Sequence, residues 1–181
     1  MCSLRWGATL PEQPSAMHFW LQYAGSFMQR LRRYGISHPI VQVLQQSWQL
    51  PAQEERKLLS IRTRSRVLVR DVFIVSENNQ WMFARSIFPR TSLTGKEKQL
   101  ARLKNRSLGS VLFRHQNMHR SLFEFSEIKP GNRLHTSMME IAERSFESLW
   151  ARRSMFTLGK KSLLLTEVFL PDVFALGDSR G

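Results

Sequence analysis

The chain has 181 residues, 42% of them hydrophobic, and a formal net charge of +13 at pH 7. This length predicts one domain with a hydrophobic core, and the composition argues against a disordered chain. No apolar run is long enough for a membrane span or a secretory signal. The single cysteine, Cys2, excludes an internal disulfide and a cysteine metal cage, so we expect a protein of the reducing cytoplasm.

Positive charge is concentrated in one third of the chain. Between Arg56 and His115 there are 14 basic and 3 acidic residues. Such a surface attracts anions, and nucleic acid, an acidic membrane face and a small carboxylated substrate all qualify. Composition leaves these three classes of partner open.

The N-terminal part predicts a loose lead-in followed by two short helices. Residues 1–15 contain two prolines and little periodicity, whereas residues 16–23 show a mostly buried helical pattern. Ser26 stands three residues before Gln29, which is a capping-box spacing. A second helix should therefore begin at Ser26 and end near Gly35.

The clearest local pattern is a β-hairpin. Residues 66–75 and 80–88 are rich in β-branched and aromatic residues and are separated by Ser-Glu-Asn-Asn, a turn composition. Pro89 ends the second strand. Residues 39–48, opened by a proline, fit an edge strand that precedes the hairpin.

The next part of the chain alternates helices and strands. We predict a helix over 96–104, a further helix start at Ser107 and a strand over 121–128. Pro130–Gly131 turns the chain, and a helix over 135–147 follows.

A second hairpin closes the domain. Residues 150–157 and 163–170 flank a turn at Gly159–Lys160, and residues 172–181 should form a frayed tail. Strands joined by hairpins, with helices between them, indicate an α+β fold with helices packed on a single antiparallel β-sheet. We place this domain at residues 16–171.

Strand alternation puts two arginines on apolar faces of the first hairpin. Arg70 alternates with aliphatic residues in one strand, and Arg85 alternates with aromatic and aliphatic residues in the other. A two-residue turn at 77–78 or 78–79 would place both arginines on the same side of the sheet. They would need a counter-anion there, because an unpaired buried charge is very unfavourable.

Glu167 supplies a candidate anion on an apolar face of the last hairpin. A two-residue turn at Gly159–Lys160 would place Arg152 directly opposite Glu167. Such a carboxyl is either ionised beside an arginine, or its pKa is raised by burial and it acts as an acid. A purely structural ion pair is the alternative.

Two helix starts would present backbone donors. After the caps Ser26 and Ser107, the N–H groups of Phe27 and Leu108 would have no helical acceptor. Carboxylates bind at such positions. Hydration of these groups by water is the alternative interpretation.

Other chemistries find little support in the sequence. His115 and His119 have the spacing of metal ligands but lack a third ligand, so surface histidines are the simpler interpretation. The glycines form no phosphate-binding loop, and no serine lies in a nucleophile-elbow motif. Aromatic residues near the basic region would be able to stack bases, but their alternation with apolar neighbours favours core packing.

Several motifs resemble those of the chorismate pyruvate-lyase family. Its members carry a similar Leu-Trp-x-Arg-Arg-Ser, Gly-Lys and Leu-Leu-Leu-Thr-Glu-x-Phe-Leu-Pro series. The matching positions are 149–154, 159–160, 163–171, Arg70, Arg85 and Ser107-Leu108-Gly109. The resemblance covers residues 16–171 and implies a chorismate lyase-like α+β fold.

The resemblance also implies an activity and a role for each matched residue. The family converts chorismate to 4-hydroxybenzoate and pyruvate for ubiquinone synthesis, without a cofactor or metal. Arg70 matches the arginine that grips the ring carboxylate, and Leu108 matches the residue whose backbone N–H helps to hold it. Glu167 matches the carboxyl at the 4-hydroxyl end of the ring and would transfer a proton. Phe27 falls at a second backbone donor, although a shift of one residue would give that role to Met28.

Two features depart from the family pattern, and two other functions stay open. The 129–146 connection is longer than in the shorter members by roughly one helix, and the strongly basic balance is unusual. One alternative is a non-catalytic sensor of aromatic acids, as in effector-binding domains of transcription regulators, which the short segment before residue 16 disfavours. The other is a basic nucleic-acid-binding protein. We expect a monomeric enzyme that binds chorismate, with no nucleic-acid partner.

Overall fold

An antiparallel sheet lies at the centre of the protein. The computed structural model describes residues 4–142 and 145–177. Six of the seven strands in this part of the chain follow the order β1-β2-β3-β7-β6-β4, and the seventh, β5, pairs with the first half of β6. The strands are β1 (Ile40–Gln49), β2 (Val67–Ser76), β3 (Asn79–Pro89), β4 (Met118–Arg120), β5 (Glu124–Ile128), β6 (Leu149–Leu158) and β7 (Lys161–Phe169). The predicted α+β fold on a single antiparallel sheet is confirmed.

Short helices pack against this sheet. They are α1 (Ser15–Leu21), α2 (Phe27–Arg33), α3 (Gln53–Leu58), α4 (Leu108–Leu112), α5 (Arg133–Met139) and α6 (Pro171–Ala175), with 3-10 turns at Arg90–Ser92 and Gly95–Arg102. As predicted, Ser26 caps α2, because its hydroxyl accepts a hydrogen bond from Gln29 N at 3.4 Å. Gly35 follows the end of α2 with a positive φ of 83°. Among the described helices, none is long and apolar enough to cross a membrane.

The two faces of the sheet carry separate hydrophobic cores. Even-numbered residues of β2, such as Leu68 and Val72, pack with α1, α2 and α4 on one face, which we call the cavity face. Odd-numbered residues, such as Val69 and Phe73, pack on the other face, which we call the reverse face and which α3 and α5 cover. Each fully buried large apolar side chain contributes about 1.5–3 kcal/mol, and these contacts hold the helices on the sheet.

The first hairpin contains a β-bulge that the sequence did not reveal. Its turn is the predicted Glu77–Asn78, but the pairing shifts between Val75 and Ile74, so that Trp81 is the extra residue in β3. Trp81 and its neighbour Met82 therefore both pack on the cavity face.

This bulge separates the two arginines of the hairpin. Arg70 pairs with Ser86 on the cavity face, whereas Arg85 pairs with Asp71 on the reverse face. The prediction that Arg70 and Arg85 share one side of the sheet is wrong. One additional residue on one strand inverts the relation between the faces of two paired strands.

The last hairpin has the predicted register. Gly159 adopts a positive φ of 62° in a two-residue turn, and Arg152 pairs directly with Glu167. This pairing fixes on which face of β6 and β7 each charged side chain lies.

Three predicted elements have different bounds in the structure. The 96–104 segment forms a 3-10 rather than an α-helix. The predicted 121–128 strand is shortened to β5, Glu124–Ile128, and the short strand β4, which was not predicted, ends before it at Arg120. Between β4 and β5, Ser121 bonds Met155 of β6 through both its backbone N–H and its hydroxyl. The predicted 135–147 helix starts at Arg133 and ends at Met139, and two of its positions, 143–144, lie outside the described residues.

The ends of the domain are more ordered than the sequence suggested. Pro171 was expected to end the last strand, and it is also the first residue of α6, a position that tolerates proline. Two residues later, the side chain of Val173 is fully buried. The prediction of a frayed tail is therefore wrong for the first residues after Pro171. In the N-terminal segment, Gly7 forms a β-bridge with Phe125. Helix α3 was not predicted.

Candidate active site

Arg70 is a buried cation on the cavity face. Its side chain is 1% exposed, and Nη2 donates to the carbonyls of Lys104 at 2.8 Å and Arg106 at 3.1 Å. Its Nε has no acceptor, and within residues 4–142 and 145–177 no carboxylate forms an ion pair with it. Burial lowers the pKa of Arg70 to about 10, so the group is still charged at neutral pH.

Glu167 is held between two arginines. Its Oε2 accepts hydrogen bonds from Arg152 Nε at 2.7 Å and from Arg120 Nη2 at 3.3 Å. Burial alone would raise the pKa of Glu167, but the charges and hydrogen bonds of Arg152 and Arg120 outweigh it and hold this pKa below its usual value. Of the two states considered for this carboxyl, the ionised one beside an arginine is therefore the one that the structure favours.

Phe27 and Leu108 are the first residues of α2 and α4. Ser107 caps α4 by accepting a hydrogen bond from Ser110 N at 3.2 Å, as Ser26 does for α2. The N–H groups of Phe27 and Leu108 have no intrahelical acceptor at these positions. Both predicted helix starts are thus present, with their backbone donors at the ends of short helices.

One cavity brings these four predicted residues together. Arg70, Glu167, Phe27 and Leu108 all line it, and so does Met28. Its remaining walls are mostly apolar, from residues Val41, Val72, Ile74, Met82, Ala84, Phe113, Phe156 and Leu165. A narrow apolar cavity with a few polar groups is typical of a site for a small ligand.

The sheet sets the spacing between the charged ends of the cavity. Arg70 lies on β2 and Glu167 on β7, with β3 between them. Two strand spacings are about 9–10 Å, and Glu167 lies two residues along β7 from Leu165, the residue in line with Arg70, so the two backbone positions are farther apart than this.

Arg120 lies in the same cavity and was missed by the sequence reasoning. Its Nε donates to Ser154 Oγ at 2.9 Å, and its guanidinium carbon lies 4.1 Å from the centre of the Phe123 ring. Burial lowers the pKa of Arg120 to about 10, although the charge of Glu167 partly opposes this shift. Strand β4 has three residues, too few for alternation to reveal a buried side chain.

Arginines also connect this site to the segment between α1 and α2. Arg152 Nη1 donates to the carbonyls of Leu21 and Tyr23, and Arg120 Nη1 donates to the carbonyl of Ala24 at 3.0 Å. Because this segment leads directly into Gly25, Ser26 and Phe27, the groups that hold Glu167 also position one wall of the cavity.

Arg85 takes no part in this cavity. On the reverse face its Nε bonds Glu55 at 2.8 Å and its Nη1 bonds Asp71 at 2.9 Å. Burial would lower the pKa of Arg85, but the two carboxylates outweigh burial and raise it.

Comparison of the sequence with models of protein families identifies the family of this chain. The family model described as chorismate lyase matches residues 7–177. The chain belongs to the chorismate lyase family. The family consists of lyases, and the match covers every residue that lines the cavity.

Curated relatives support the same assignment. A probable chorismate pyruvate-lyase of Nitrosomonas europaea is 32% identical over 170 residues, which cover 94% of this chain and 95% of the relative. Another of the same name, from Methylobacillus flagellatus, is 33% identical over 174 residues, covering 95% and 96% of the two chains.

Solved structures share the fold at low sequence identity. The PhnF C-terminal domain aligns with a TM-score of 0.60 and 13% identity, over 83% of this chain and 91% of that chain. The effector-binding domain of the B. subtilis trehalose repressor aligns with a TM-score of 0.55 and 11% identity, over 74% and 91% of the two chains. These similarities concern the fold alone.

Proposed function

We propose that the protein is a chorismate pyruvate-lyase, which eliminates pyruvate from chorismate and forms 4-hydroxybenzoate. The observation that carries this proposal is the buried guanidinium of Arg70, which has no carboxylate partner in the described chain and shares a cavity with Glu167. A buried cation without a counter-ion is unfavourable until an anion binds. Membership of the chorismate lyase family supports the same substrate.

The substrate ring would lie across the cavity face of the sheet. Its carboxylate would bind Arg70 and the N–H of Leu108, and its 4-hydroxyl end would meet Glu167. Phe27 would provide a second backbone donor, with Met28 as the neighbour that also lines the cavity. Apolar walls exclude water and fix the orientation of the ring.

The reaction is an elimination driven by aromatisation. The C–O bond to the enolpyruvyl group breaks, and its electron pair leaves with the enolpyruvyl oxygen. The ring carbon that bears the hydroxyl loses its proton, which the ionised Glu167 is placed to accept. The released enolpyruvate takes up a proton and becomes pyruvate. Arg120 supplies a positive charge at this end of the cavity, where negative charge develops on the leaving oxygen.

The wider role is part of the same proposal. We place formation of 4-hydroxybenzoate in the supply of ubiquinone synthesis in the cytoplasm, by a monomeric enzyme that needs no added cofactor. Light scattering of the purified protein measures its mass in solution, and a dimer would contradict the monomeric state.

Turnover of chorismate by the purified protein is the direct test. We expect the loss of chorismate to match the appearance of 4-hydroxybenzoate and pyruvate in equal amounts, followed by ultraviolet absorbance and chromatography. Chorismate that stays intact in the presence of folded protein would refute the activity.

A small-molecule sensor is the second candidate, because the fold resembles the effector-binding domain of a repressor. A sensor would bind 4-hydroxybenzoate or a similar acid in this cavity without consuming chorismate. Calorimetry and the turnover assay on the same sample therefore distinguish the two functions.

A further inference from the structure

A row of polar side chains crosses the reverse face of the sheet. In neighbouring strands, Asp71 pairs with Arg85, Arg85 with Thr166, Thr166 with Arg153, and Arg153 with Glu124. Of these five, all but Glu124 are at least nine-tenths buried. The two carboxylates lie at the outer ends of the row, and the Thr166 hydroxyl lies between two guanidinium groups.

Both arginines keep donors that the described part of the protein does not use. Arg85 bonds Glu55 and Asp71 through Nε and Nη1, which leaves Nη2 without an acceptor. Arg153 bonds Glu124 through Nε at 2.8 Å, which leaves both of its terminal nitrogens without one. The Thr166 hydroxyl likewise has no partner among residues 4–142 and 145–177. The middle of the row is therefore rich in donors and poor in acceptors.

A cavity of about 260 Å³ lies over this part of the sheet. Arg85, Thr166 and Arg153 line it from the sheet. Trp6 closes one side, with the Arg153 guanidinium carbon 4.5 Å from the centre of its ring. Helices α3 and α5 form further walls and add one acidic and one basic side chain, Glu54 and Arg133, besides the paired Glu55. Two glutamines of β1, Gln45 and Gln49, also line the cavity.

We propose that this reverse-face cavity binds a small carboxylate, which lies over the Thr166 hydroxyl between Arg85 and Arg153. A carboxylate has two oxygens in one plane and accepts hydrogen bonds from two guanidinium groups and a hydroxyl at once. Asp71 and Glu55 pair with the outer side of Arg85, and Glu124 pairs with Arg153, so the inner donors leave a place for at most one small anion held by hydrogen bonds. The proposal does not depend on the chemistry of the other cavity.

Titration of the full-length protein with [1-¹³C]acetate tests this site. We expect saturable broadening of the acetate carbon signal at millimolar concentration, in buffer that contains sodium chloride. Arg153→Gln should weaken acetate binding about tenfold or more, because it removes a charge-assisted contact. Thr166→Val keeps the shape of the side chain and should weaken binding by a smaller factor. Circular dichroism and thermal melts establish that each variant is folded.

Arg70→Met is the matched control, because it removes an arginine from the cavity on the other face. The acetate binding that Arg153→Gln weakens should persist in this variant. If Arg70→Met abolishes binding, acetate occupies the cavity face and the proposal is wrong. Absence of saturable binding to the unaltered protein, equal displacement by chloride, or unchanged binding in both Arg153→Gln and Thr166→Val would also overturn it. If Arg153→Gln does not fold, Thr166→Val and Arg70→Met still decide the question.

Discussion

Arg70 and Arg85 stand on paired strands of one hairpin, and both are more than nine-tenths buried, yet their surroundings are opposite. Arg85 has two carboxylates within 3 Å, from Glu55 and Asp71. Arg70 bonds backbone carbonyls and no carboxylate among the described residues. A buried cation with two counter-ions is balanced by the fold itself, so its charge does not require an external ligand. A buried cation without a counter-ion is suited to an anion from outside.

The contrast extends to the two faces of the sheet. Charges on the cavity face should act mainly on chorismate binding and reaction rate, whereas the ion pairs of Arg85 on the reverse face should act mainly on folding stability. Four substitutions test this division.

Glu167→Gln should have the largest effect. It keeps the size of the side chain but removes the proton acceptor, so kcat should fall about 10²- to 10⁴-fold. Initial rates of 4-hydroxybenzoate formation measure this change. Glu124→Gln removes a carboxylate that pairs with Arg153 on the reverse face, and its rate should stay close to that of the unaltered protein. Full activity of folded Glu167→Gln would disprove the assigned role.

Asp71→Ala should destabilise the protein without a direct effect on the chemistry. It removes one of the two carboxylates that neutralise Arg85. Because Glu55 still pairs with Arg85, the loss should lie at or below the lower end of the about 3–5 kcal/mol that breaking a buried ion pair costs. Urea unfolding measures the free energy of unfolding. Glu54→Ala, beside Glu55 in α3, is the control and should change this free energy by about 0.5 kcal/mol or less. Equal stabilities of the two variants would contradict the structural role of the reverse-face pair.

Arg70→Met should weaken binding of the product more than it weakens the fold. Loss of a charge-assisted contact should reduce the affinity for 4-hydroxybenzoate by about 1.5–3 kcal/mol, measured by calorimetry. The decrease in unfolding free energy should be smaller than that of Asp71→Ala, because no carboxylate loses its partner. The proposed difference between Arg70 and Arg85 would be wrong if Arg70→Met kept its affinity for 4-hydroxybenzoate. It would also be wrong if Arg70→Met lost more unfolding free energy than Asp71→Ala.

Arg120→Met should also shift the pH dependence, the smallest of the four measured changes, in addition to the loss of rate expected from removing the positive charge at the leaving oxygen. Arg120 helps to lower the pKa of Glu167, so its removal should raise that pKa. The ionised carboxyl is the active form, and activity should therefore be lost at a higher pH as the solution is acidified. The acid limb of kcat/KM against pH measures the shift. Arg114→Met, an exposed arginine outside the cavity, should leave the limb in place.

Much of the site could be predicted because it depends on strand alternation and simple turns. The Gly159–Lys160 turn fixed the pairing of Arg152 with Glu167, and alternation correctly placed Arg70 among aliphatic residues of one face. Ser26 and Ser107 marked helix starts through local hydrogen bonds, which depend on neighbouring residues alone.

The remaining features depend on contacts between distant segments. A bulge at Trp81 leaves no clear mark in the consecutive apolar residues 81–84, so the face of Arg85 was assigned wrongly. Arg120 became part of the cavity through Ser154 and Glu167, which follow it by more than 30 positions. Helix α3 owes its orientation to Glu55, whose partner Arg85 lies far along the chain.

The bulge at Trp81 makes the length of the first hairpin a strict requirement. Loop tips commonly accept insertions and deletions. Deletion of one residue beside this bulge, however, would move every side chain of β2 or of β3 to the opposite face of the sheet. Arg70 would then leave its cavity, or Arg85 would leave its carboxylates. Single-residue deletions near the tip of the hairpin should therefore destabilise the protein as much as substitutions in the core, although the tip itself is exposed.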